Sequence, residues 1–107
     1  KNARHFAEII ERTNSIVVPT IILYEVFKKI STERGENMAF QILAQIKKGT
    51  IVDLDTDLAI ESAKISKQYA LPMADSIILA TALKHDSVLW TQDSDFEKIA
   101  GVRYFKK

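Results

Sequence analysis

The sequence predicts an α/β domain built on a mainly parallel sheet. Short apolar runs (Ile16-Val17-Val18, Thr50 to Leu54, Val88-Leu89-Trp90, Val102 to Phe105) alternate with longer helical stretches. The runs lack polar alternation, as in strands covered on both faces. At 107 residues the chain is long enough for one hydrophobic core and too short for two, so residues 1–107 are read as one domain.

Lys1 to Arg12 reads as an amphipathic helix with Phe6, Ile9 and Ile10 on one face. Asn14 and Ser15 break it, and Ile16-Val17-Val18 forms a buried strand that ends at Pro19. Thr20 caps a helix of Ile21 to Glu33, which Gly35 stops. Asn37 caps the next helix, which runs to Lys48 before Gly49. After the strand at Thr50, Asp55 or Thr56 caps a third helix that reaches Ala70. Leu71-Pro72 interrupts, and Met73 to Lys84 resumes as a very apolar helix. The strand at Val88 follows, then a short helix of Asp93 to Ala100 and the last strand. Neither a repeat nor a linker divides the chain.

Composition excludes several functions. Fifteen basic and 14 acidic side chains leave a formal charge of +1, so no global field marks a polyanion binder. Locally, Lys28, Lys29, Arg34, Lys47 and Lys48 face only Glu33 and Glu36, a net +3 that suits either a solvated surface or a phosphate backbone. The absence of cysteine rules out disulfides and thiolate metal sites. No apolar run reaches membrane-spanning length and no signal-peptide pattern is present, so a cytoplasmic protein without membrane contact is expected. Glycine occurs only at positions 35, 49 and 101, which leaves no phosphate-cradling loop. Asp53, Asp55 and Asp57 imitate the start of a calcium loop, but the turn glycine and the closing glutamate are missing.

What remains is a set of carboxylates in apolar surroundings, where an uncompensated charge is expensive. Glu25 shares a helical stripe with Ile21 and Ile22; an ion pair with Lys28 or Lys29 is the plainer explanation. Asp75 opens the apolar helix at Met73, where interaction with the free N–H groups of the first turn is the alternative. Asp93 and Asp95 follow the strand at Val88, and one of them can cap the short helix. Thr91 can orient a carboxylate or a water through its hydroxyl. All these acids follow a strand or head a helix at the carboxyl end of the sheet, where α/β folds bind ligands. A hard divalent cation is the natural compensating partner.

Three segments carry a family resemblance: Val17-Val18-Pro19-Thr20-Ile21-Ile22-Leu23-Tyr24-Glu25-Val26, Leu71-Pro72-Met73-Ala74-Asp75-Ser76-Ile77-Ile78-Leu79-Ala80-Thr81-Ala82, and Leu89-Trp90-Thr91-Gln92-Asp93-Ser94-Asp95-Phe96. In order and spacing the chain resembles the PIN-domain family, especially the VapC-type toxin ribonucleases. The resemblance implies a three-layer α/β/α sandwich with sheet order 3-2-1-4-5. It also implies an Mg²⁺- or Mn²⁺-dependent endoribonuclease in which Glu25, Asp75 and Asp93 are the catalytic metal ligands, with Asp95 an additional one. Thr91 would support the site, and Lys28 and Lys29 would guide RNA. The implied partners are RNA, an antitoxin protein and a second copy of the chain. One departure stands out: the family's first strand, which ends in an Asp and lies at the centre of the sheet, is expected upstream of Lys1 and absent from this sequence. A non-catalytic PIN-like interaction module with an incomplete acidic site is therefore the alternative reading. A response-regulator-like signalling domain is disfavoured, because the strand at Ile16 ends in Pro19 where that chemistry needs an Asp.

Overall fold

The computed structural model describes residues 9–12, 15–91 and 102–104, with residues 9, 11, 12, 15, 90, 91 and 102–104 described by their backbone alone. The elements run β1 (Ile9–Arg12), β2 (Ser15–Pro19), α1 (Thr20–Arg34), α2 (Glu36–Ile46), β3 (Thr50–Val52), α3 (Thr56–Tyr69), α4 (Met73–Lys84), β4 (Val88–Thr91) and β5 (Val102–Tyr104). The helix expected over Asp93 to Ala100 lies outside the described residues.

The five strands form one sheet in the order β3-β2-β1-β4-β5. β2 pairs with β3 and β4 with β5 in parallel, whereas β1 runs antiparallel to both β2 and β4. Four strands thus point one way and the central one points back. This order agrees with the one the family resemblance implies. The central position, however, is filled by Ile9–Arg12, a segment whose periodicity predicts the end of a helix; residues 1–8 of that expected helix lie outside the described residues. Two physical effects account for the difference. A gap between β2 and β4 would leave two interior rows of backbone N–H and C=O groups without partners, and these are obligatory hydrogen-bonding groups. Arg12 and Ser15 are register partners with only two residues between them, a connection that antiparallel strands accept and parallel strands cannot.

The register builds the core. Ile10 lies opposite both Val17 and Leu89, so the three side chains form a row across one sheet face. All three are buried, joined by Leu58 and Ile65 of α3 and by Ile78, Leu79, Ala80 and Ala82 of α4. Ile21, Ile22 and Val52 pack against the margin of the same cluster. α4 explains its own position: every residue from Asp75 to Ala82 is buried, and a helix that is apolar all round must lie inside. Its two hydroxyl residues are locally satisfied, for Thr81 Oγ1 donates to Ile77 O at 2.7 Å and Ser76 Oγ to Met73 O at 2.7 Å.

Caps set the helix directions. Asp55 Oδ1 accepts the Leu58 N–H at 2.8 Å, which resolves the choice between Asp55 and Thr56. Thr20 and Asn37 do not cap as their types predict: Pro19 and Gly35 occupy the N-cap positions and supply no side-chain bond. Gly35 has φ 90° and ψ 163°, a region essentially reserved for glycine, and folds α2 back on α1. Ala70 ends α3 in the left-handed conformation, φ 55°, ψ 44°. Ser66 Oγ then donates to Leu71 O at 2.7 Å, fixing the corner from which α4 departs. Among the described residues, no helix is long and apolar enough to cross a membrane.

Candidate metal centre

The sheet's direction brings the candidate acids to one edge. β2 ends at Pro19 and α1 begins at the next residue, so α1 rises from the carboxyl end of β2. Glu25 lies five residues into that helix, about 8 Å along its axis, and is partly buried. α4 reaches β4 through only three residues and packs on it, which places the start of α4 at the carboxyl end of β4. Because β2 and β4 are codirectional, the first turns of α1 and α4 share an edge, and the two helices pack against each other. Thr91 is the last residue of β4 and lies at that edge too.

Asp75 is the most informative group. It occupies the third position of α4, and its side chain is 0 % exposed. Its place in the first turn gives it favourable interaction with the helix dipole. That interaction accounts for an acid at a helix start, but a solvated one would serve equally well. Complete burial of a carboxylate demands compensating charge or hydrogen bonding. Its two oxygens are hard donors, as Mg²⁺ and Mn²⁺ prefer.

Asp93 and Asp95, the other two expected ligands, lie outside the described residues. Among the described residues, no three acidic or histidine side chains come together as a metal site. The structure thus brings the helix starts that carry Glu25 and Asp75 to one edge and leads β4 toward it; carboxylate oxygens are the donor type a hard cation takes.

The two lysines differ. Lys29 Nζ binds Glu33 at 2.6 Å, one turn further along α1. Lys28 is exposed and its Nζ stands 5.8 Å from the centre of the Tyr24 ring. Sequence reasoning had no means of separating them, and it gave Tyr24 no role beyond its place in the first motif. The one available signal was the four-residue spacing of Tyr24 and Lys28, which stacks them on one helix face. Asp53, Asp55 and Asp57 form no calcium loop: Asp55 is the α3 cap, and its Oδ2 lies 3.6 Å from Lys84 Nζ. The Leu58 N–H bond, the largest influence, holds the Asp55 carboxyl below its ordinary value; desolvation opposes it, and the nearby Lys84 charge adds to the lowering.

Comparison with known proteins agrees with this architecture. The sequence pattern of the PIN domain matches residues 1–102. A solved structure described as a toxin-antitoxin complex from Klebsiella pneumoniae aligns with a TM-score of 0.73 and 28% identity, over 85% of this chain and 75% of that one. No curated protein matches. Sequence pattern and sheet order agree: the chain belongs to the PIN-domain family, a family of nucleases with an α/β/α fold.

Proposed function

We propose that this chain is the Mg²⁺- or Mn²⁺-dependent endoribonuclease of a toxin–antitoxin pair. The observation that carries the reading is Asp75, a fully buried carboxylate at the carboxyl edge of four codirectional strands, beside the helix that bears Glu25. Glu25, Asp75 and Asp93 would hold the cation, with Asp95 as a further ligand and Thr91 orienting a carboxylate or a water. When bound, such an ion neutralises the scissile phosphate and acidifies a water at neutral pH. The protein's own part is to keep Asp75 fixed and dry on a helix locked into the core, so that its oxygens need no reorganisation when charge develops. The toxin-antitoxin complex among the similar structures supports an antitoxin partner, and in this reading that partner would block the acidic edge. A homodimer in the cytoplasm completes the proposal.

Asp75→Asn tests it. RNA cleavage in Mn²⁺ should fall by at least about a hundredfold, in line with the loss of a charged group from a preorganised site. The melting temperature should stay level or rise, and the stabilisation by Mn²⁺ expected of wild type should vanish. Cleavage within threefold of wild type would remove Asp75 from the site, and a collapse of stability would return it to a purely structural role. The non-catalytic module also has an observation in its favour. The central strand β1 runs opposite to its neighbours, so its carboxyl end lies at the edge away from Glu25 and Asp75. Intact metal binding without RNA cleavage would decide for that reading.

A further inference from the structure

We infer that Tyr24 and Lys28 form a landing platform for one nucleotide of single-stranded RNA beside the acidic edge, the ring stacking on a base and the ammonium meeting a phosphate. This rests on the nuclease reading above and names how that site engages its substrate. Tyr24 is 59% exposed although it follows a buried strand and a run of apolar residues. It directly precedes Glu25, about 100° away around the helix, so it flanks the candidate ligand on the solvent side. Lys28 stands one turn later with its Nζ 5.8 Å from the ring centre. Among the described residues no carboxylate pairs with Lys28, whereas Lys29 is held by Glu33 at 2.6 Å.

An exposed aromatic ring beside a cation that no described carboxylate pairs with is the pairing that single-stranded nucleic acid recognises, because every base has a π-face and every link carries a charge. The rest of the α1–α2 hairpin supports the same occupant: Arg34, Lys47 and Lys48 are exposed. Phe27 and Phe40, the other aromatic residues of the hairpin, are already paired with each other at 5.0 Å. Tyr24 is left as the ring with a charged neighbour.

Binding of a fluorescein-labelled single-stranded RNA, followed by anisotropy in EDTA, tests the inference without involving metal or cleavage. Tyr24→Leu should weaken binding at least about fivefold, and Tyr24→Phe should bind as wild type does. Lys28→Gln should weaken binding and flatten the salt dependence by roughly 0.7 in log–log slope, whereas Lys64→Gln, an exposed lysine of α3, should stay within twofold. The inference is overturned if wild type binds no RNA, if Tyr24→Leu stays within twofold of wild type, or if Lys64→Gln matches Lys28→Gln. The second of these outcomes would assign the ring to a protein contact instead. The nuclease reading fails separately: a chain that binds with this pattern but does not cleave in Mn²⁺ keeps the platform and loses the activity.

Discussion

Replacing Ile10 by Ala probes the least expected feature of the fold, the reversed central strand. Ile10 is 3% exposed and lies between Val17 and Leu89, each at most 1% exposed. Removing three carbons from such a position forfeits about 2.4 kcal/mol of transfer free energy. The cavity left behind raises the loss to about 3–4 kcal/mol, because a strand held on both sides cannot collapse into the space. A domain of this size has roughly 5–15 kcal/mol in all, so the variant should remain folded but lose a large share of its stability. Urea unfolding followed by the fluorescence of Trp90, the only tryptophan, provides the assay. With a slope of about 1.2 kcal/mol per molar, the midpoint should drop by roughly 2.5–3.3 M. Ile60→Ala serves as control: Ile60 is 53% exposed, and its truncation should cost less than about 1 kcal/mol. A loss below about 1 kcal/mol for Ile10→Ala would refute the central strand, since a surface helix at residues 9–12 would barely register the change.

Two other predictions concern the helix ends. Ala70→Gly should raise the melting temperature by roughly 4 °C, because the left-handed φ of 55° strains alanine by about 1 kcal/mol; a lowered melting temperature would show that the strain is not there. Asp55→Asn keeps a capping oxygen but removes a titrating group whose folded pKa is depressed. Its contribution is complete above the ordinary carboxylate pKa and disappears as pH falls through the lower folded value, so wild type should lose more stability than the variant on acidification from neutral pH to about 3. Parallel pH profiles from thermal melts would contradict this.

Much of the architecture is encoded locally. Met73–Lys84 is helical with the bounds its composition predicts, since eight successive buried residues leave it no other place. Asp55 caps as its type requires. Thr20 and Asn37 fail as caps for a local reason of another kind: Pro19 and Gly35 already impose the backbone conformation at which each helix starts. The acids at positions 25 and 75 are visible in the sequence as charges out of place. Their sharing of an edge is legible only through the alternation of strands and helices.

The sequence alone determined the α/β class and the order of the described elements from β2 onward, because each depends on neighbours within a few turns of chain. Tertiary structure decided the rest. It turned Ile9–Arg12 into a strand, since unpaired interior ladders outweigh a weak helical period. It withdrew Asp75 from water, and it committed Lys29 to Glu33 while leaving Lys28 over Tyr24. Burial and partner choice are set by groups distant in sequence, which no local pattern of residues records.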